Sequence, residues 1–152
     1  MEKWFIANKK ADFAAIGKRF GISPITAKII RNRDIIEDGD ISMYLYGTLK
    51  DMRSPLDMKD MDALAAILKE DIENGRKIRV VQDYDVDGCM SGYILVAAIR
   101  ACGGLGDYDV PDRTAEGYGI NERIVDAALS DGIDTILTCD NGIAASQVVS
   151  YA

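Results

Sequence analysis

The stretch Lys77–Ser91, KIRVVQDYDVDGCMS, decides the fold. Ile78, Val80 and Val81 read as a buried strand, and the strand runs straight into Asp83, Asp85 and Asp87. Gly88 follows, and then a helix-like run from Cys89 to Ala101. Carboxylates this closely spaced repel one another, and a cation held between them removes the repulsion. Hard oxygen donors suit Mg²⁺ or Mn²⁺. In an open α/β sheet, ligands gather at the carboxyl ends of the strands. The stretch therefore reads as a metal site at a strand end. The competing reading is an acidic turn in which Asp87 or Gly88 caps the helix, where negative charge is favourable in any case.

Upstream, the sequence predicts helices. Phe13, Ala14, Ile16 and Phe20 repeat at helical spacing, with Gly21 as the stop. Ser23-Pro24 opens a second helix with Ile25, Ile29 and Ile30 expected on its inner face. The pair has the outline of a helix-turn-helix, with Arg31 and Arg33 available for phosphates, although such pairs also serve as plain packing units. A short helix is expected over 41–46 and a loop over 48–57. Met58, Met61, Leu64, Ala65, Leu68 and Ile72 then mark a helix whose methionines fill core space.

Downstream, Gly103-Gly104-Leu105-Gly106 reads as a turn, because it follows a helix and lacks phosphate-loop spacing. A strand is expected over 108–110, stopped by Pro111. Asn121 caps a helix carrying Ile124, Val125, Ala128 and Leu129. A buried strand over 133–139 ends in Asp140-Asn141-Gly142, and a last helix starts near Ile143. Strands alternating with helices imply an α/β fold: a helical lead-in over 1–57, then a mainly parallel sheet with flanking helices over 58–152. Both aspartate-bearing strand ends would open on one edge of that sheet.

Composition narrows the chemistry. The chain has 152 residues, a net charge of −7 and no histidine. This excludes Ser-His-Asp and Cys-His catalysis within it and leaves carboxylates and metal. A generally basic nucleic-acid-coating surface is also excluded, though not a local basic groove. Cys89, Cys102 and Cys139 form no CxxC pair and read as reduced core thiols of a cytoplasmic protein. No apolar run is long enough to span a membrane, and MEKWFIANKK lacks a signal-peptide pattern.

Three pieces then form a constellation: Asp83 to Gly88; Asp112-Arg113 with Glu116-Gly117-Tyr118-Gly119; and Asp140-Asn141-Gly142. Two carboxylate strand ends can hold one or two divalent ions that activate water. An arginine beside a glycine-rich loop can clamp a phosphate. Taken alone, Arg113 reads as a surface ion-pair residue and Tyr118 as a packing aromatic.

DYDVDG, PDRTAEGYGIN and TCDNGI, in that order, resemble the first half of the DHH phosphoesterase superfamily. They are most similar to its RecJ branch of single-strand-specific 5′-to-3′ exonucleases. ISPITAKIIRNR and SPLDMKDMD resemble the helical lead-in of that branch. The resemblance implies that Asp85, Asp87 and Asp140 are catalytic metal ligands, with Asp83 a weaker one. It assigns Arg113, Gly117, Tyr118 and Gly119 to the substrate or its phosphate. It implies Mn²⁺ or Mg²⁺ as cofactor, and single-stranded DNA and DNA-repair proteins as partners. Gln82 and Asp112 depart from the usual Gly and Asn of the pattern. The Asp-His-His motif and the later domains are missing, which implies an incomplete site with little hydrolysis by this stretch alone. The alternatives are another DHH phosphoesterase acting on oligonucleotides or cyclic dinucleotides, a haloacid-dehalogenase-type phosphatase, a phospho-acceptor receiver domain, and a non-catalytic nucleic-acid-binding module.

Overall fold

The computed structural model describes residues 3–5 and 9–152, so Met1, Glu2 and 6–8 of the N-terminal stretch lie outside the described residues. The chain divides into two compact units, Met1–Asp57 and Met58–Ala152.

Among its described residues the first unit holds three helices: α1 (Phe13–Phe20), α2 (Pro24–Asn32) and α3 (Asp38–Tyr46). Their ends follow short-range rules. Asp12 caps α1 by accepting from the Ala15 amide, and Gly21 closes it at φ 67°. Ser23 caps α2, with Pro24 in its first turn. The inner face of α2 differs from expectation: Ala27 and Ile30 are buried, whereas Ile25 and Ile29 are exposed. At about 100° per residue, Ile25 stands on the far side from Ala27, and Ile29 on the flank of Ile30. The third helix starts earlier than expected, because Asp38 and Asp40 suit its first turn. The stretch read as a loop over 48–57 contains two 3-10 turns, Leu49–Asp51 and Pro55–Asp57.

The second unit is the expected α/β fold. It comprises α4 (Met61–Glu73), β1 (Lys77–Gln82), α5 (Val86–Ala101), β2 (Leu105–Asp109), α6 (Glu122–Ser130), β3 (Thr135–Cys139) and α7 (Ser146–Tyr151). The strands are parallel in the order β2-β1-β3. Alternate residues of β1 serve two cores. Ile78 and Val80 pack with Val96, Ile99 and Leu137 under α4 and α5. On the other face, Val81 packs with Ile120, Ile124 and Val125, backed by Ala145 and Val148. A central strand covered on both sides has to be apolar in both registers, which is why it reads as a continuous run. Each of these full burials contributes about 1.5–3 kcal/mol.

Arg79 interrupts that run and is still buried. It forks onto Asp107, its register partner on β2, at 2.9 and 2.7 Å, and reaches Asp131 at 2.9 Å. These hydrogen bonds, with Asp107 first, hold its guanidinium firmly charged despite burial.

Three expectations need correction here. The second strand starts at Leu105, so only the first part of the glycine cluster is a turn. A Cβ on Gly104 or Gly106 would stand 2.8 or 3.0 Å from the Ile99 side chain, so these glycines let β2 lie close under α5. Met58 precedes α4 and is exposed, and Asp60 at φ 60° marks where the helix begins. Cys89 and Cys102 are exposed at the two ends of α5, and Cys139 is half-buried, so the thiols are free but mostly not core.

Candidate metal centre at the carboxyl edge of the sheet

The register pairs Gln82 with Cys139, so Asp83 and Asp140 leave adjacent parallel strands side by side. The two strand ends meet as the alternation of elements implied. Oxygens of Asp83, Asp85 and Asp140 lie within 4.8 Å of one another.

The turn after β1 is built locally. Asp85 is the N-cap of α5, its Oδ1 accepting from the Gly88 amide at 3.0 Å. The helix thus begins at Val86, three residues earlier than the Cys89 expected from the sequence, and the capping residue is neither Asp87 nor Gly88. A Cβ on Gly88 would lie 2.3 Å from the Asp83 carbonyl oxygen, so the chain can turn this tightly only with glycine there. Asp87 falls in the first helical turn, where the two-residue period of the strand no longer applies. It stands outside the close trio and acts on it through charge.

Asp83 is only 3% exposed, and its Oδ1 has no hydrogen-bond partner among the described residues. A buried, unpartnered carboxylate oxygen is costly unless a cation or water meets it. Desolvation, and then the charges of Asp85 and Asp87, push the Asp140 carboxyl above the ordinary range. A hard divalent cation relieves both effects, and three carboxylates are the donor set that Mn²⁺ or Mg²⁺ takes. The residues present fit such an ion.

The loop between β2 and α6 supplies the rest. Asp112 Oδ1 accepts from the Thr114 and Ala115 amides at 2.8 and 2.9 Å, and Glu116 accepts from the Asp112 amide at 2.8 Å. The carboxylate at position 112 thereby makes the turn that an asparagine oxygen would make. Arg113 forms no ion pair among the described residues; its guanidinium lies 5.1 Å from the centroid of the Tyr84 ring. Tyr118 is not a packing aromatic: it is 66% exposed, and its hydroxyl donates to the Asp140 carbonyl at 2.7 Å. Desolvation and the nearby carboxylates of Asp83, Asp140 and Asp85 push its phenol up. Gly117 and Gly119 flank it at φ 82° and 83°.

Two contributors had no assigned role in the sequence reading. Tyr84 gives Arg113 its platform. Asn141 donates to the carbonyls of Val81 and Cys139 at 3.2 Å each, tying the end of β3 to β1. An amide directly after a strand-end aspartate was the available signal.

Known proteins resemble this chain in sequence and fold. No protein-family model matches the chain. The single-stranded-DNA-specific exonuclease RecJ of Bacillus subtilis is 29% identical over 151 residues, 99% of this chain and 19% of that protein. RecJ of Escherichia coli is 35% identical over 132 residues, 86% of this chain and 22% of that protein. The crystal structure of an exonuclease RecJ bound to manganese superimposes with a TM-score of 0.61 at 34% identity, covering 66% of this chain and 26% of that one. The Mn²⁺ complex of RecJ from Thermus thermophilus matches with a TM-score of 0.53 at 25% identity, over 87% of this chain and 17% of that one. The chain thus spans about a fifth of the length of these curated relatives.

Proposed function

We propose that this chain, which is similar to RecJ over 99% of its length, contributes a metal centre and strand-facing residues to a DHH-type single-strand-specific DNA exonuclease working in the 5′-to-3′ direction. Residues 58–152 form part of the DHH-type domain in this reading, and residues 1–57 its helical lead-in. The carrying observation is the meeting of Asp83, Asp85 and Asp140 at the ends of two parallel strands, with one buried oxygen left unpartnered.

Asp83, Asp85 and Asp140 would hold Mn²⁺ or Mg²⁺, with Asp87 adding negative charge beside them. When bound, the divalent ion neutralises charge at the scissile phosphate and activates water for hydrolysis. Arg113, carried on Tyr84, presents a cation to the substrate phosphate. Gly117, Tyr118 and Gly119 shape the wall along which the strand lies, and an exposed tyrosine ring suits base stacking. Single-stranded DNA is the partner, and DNA repair and recombination in the cytoplasm the setting. No helix among the described residues is long and apolar enough to cross a membrane.

The test is Mn²⁺-dependent release of nucleotides from a 5′-phosphorylated single strand, against the same strand in a duplex, by the protein that carries this segment. Asp140→Asn should lower the rate at least about a hundredfold, the upper end of what losing even an outer-shell partner costs. A covalent phosphate on Asp85, or cleavage indifferent to Asp140→Asn, would overturn the reading.

A further inference from the structure

Asp140 lies just past the end of β3, and we propose that Tyr118 is its positioning residue, setting the cation affinity of the carboxylate site through the hydrogen bond from its phenol to the Asp140 carbonyl. The inference rests on the reading of these carboxylates as a divalent-cation site. It gives a residue taken above as substrate-facing a second role, inside the metal centre.

Asp140 adopts φ 58°, in the left-handed region that Asp enters more readily than most non-glycine residues, as Asp34 and Asp60 also do here. That conformation ends the strand and leaves the carboxylate beside Asp83 and Asp85, within 4.8 Å. An aspartate tolerates this conformation, so what its neighbours decide is the orientation of the peptide and of the carboxylate. Three contacts surround it. Asn141 grips the Val81 and Cys139 carbonyls, on either side of the strand pair. Gly142 continues the turn at φ 94°, where a Cβ would stand 2.7 Å from Thr138 Oγ1. Tyr118 alone, among the described residues, holds the carbonyl of Asp140 itself.

The loop is shaped for that contact. Gly117 and Gly119 both take left-handed φ values on either side of Tyr118, and Gly119 is buried against Asn141, 3.7 Å from Asn141 Cβ to the position its own Cβ would fill. The ring is largely exposed, so packing is not what the side chain chiefly contributes. Rotating the Asp140 peptide turns its side chain relative to Asp83 and Asp85. A hydrogen bond on that carbonyl therefore sets how well the three carboxylates converge before an ion arrives, and convergence in advance is what raises affinity.

Mn²⁺ binding to the 152-residue chain, followed by the electron paramagnetic resonance signal of the free ion, tests this with Tyr118→Phe, Asp140→Asn, their double variant and Asp85→Asn. Tyr118→Phe keeps the ring and removes only the hydroxyl. It should weaken Mn²⁺ binding about fivefold, the effect of one lost neutral hydrogen bond, with an unchanged Tm in metal-free buffer. In the Asp140→Asn background the same change should have no further effect, and the bound-ion spectrum of Tyr118→Phe should broaden. Unchanged binding by Tyr118→Phe, while Asp140→Asn weakens it, removes the positioning role and leaves the metal centre standing. Weakening that persists equally in the double variant, or that merely follows a fall in Tm, also overturns it. If Asp140→Asn and Asp85→Asn both bind Mn²⁺ as the parent does, the metal-centre reading itself fails.

Discussion

The two strand ends that make the site are built in different ways. After β1, the turn is self-contained: Asp83, Asp85 and Gly88 fall within six residues, and the cap of α5 is one of the acidic residues themselves. After β3, the turn is held from a distance. Asn141 reaches across to β1, and Tyr118 comes from a loop 22 residues away in sequence. One arm of the site is a local folding event, whereas the other exists only once the sheet and the loop have assembled. Substitutions in the first arm should therefore act mainly on folding, and those in the second mainly on geometry.

The largest effect is expected at Gly88. Its added Cβ would strike main-chain atoms of Asp83, which cannot move aside, so Gly88→Ala should cost about 3 kcal/mol in urea unfolding. Gly142→Ala meets a threonine side chain and a left-handed φ, and should cost less, about 1–2 kcal/mol. Equal costs at the two sites would break the contrast.

The start of β3 offers a separate handle. Asp71 is buried and accepts from Thr135 Oγ1 at 2.7 Å and from Arg76 at 2.9 Å. The Thr135 hydroxyl first, and then Arg76, hold its carboxyl below the ordinary range. A depressed folded value adds stability above the unfolded one and loses it as pH falls through the folded one. Asp71→Asn should thus cost about 2 kcal/mol at pH 7, and the gap from the parent should close as pH drops below about 4. Thermal melts from pH 7 to pH 2 check this. A gap that widened in acid would contradict it.

Smaller effects separate the two arms. Asp85→Ala removes the cap of α5 and should cost about 1 kcal/mol, whereas Asp85→Asn, an equally good cap, should be nearly neutral without metal. Asp140→Asn should have the opposite sign. The raised folded value of Asp140 means that its charge opposes folding at neutral pH, so the variant should melt higher in metal-free buffer. The difference should shrink as the parent carboxyl protonates in acid. An Asp140→Asn chain that melted lower at pH 7 would show that the carboxylate supports the turn.

What could be read from the sequence was short-range. Ser23-Pro24, Gly21 and Asn121 placed helix ends, because capping involves residues three or four apart. The run Ile78 to Val81 followed by aspartates announced a central parallel strand with a carboxylate end, and the TCDNGI segment announced its neighbour. Tertiary structure decided the rest. Asp83 joins the trio and Asp87 stands beside it because helix α5 starts at Val86, and the helical turn carries residue 87 away from the strand's line. Ile25 and Ile29 are exposed because only the Ala27 and Ile30 side of α2 is covered. The grip of Tyr118 on Asp140 spans the sheet edge, and a contact between residues so far apart in the chain leaves no mark in local spacing. Chain periodicity reports which groups can be buried, and only packing reports which of them meet.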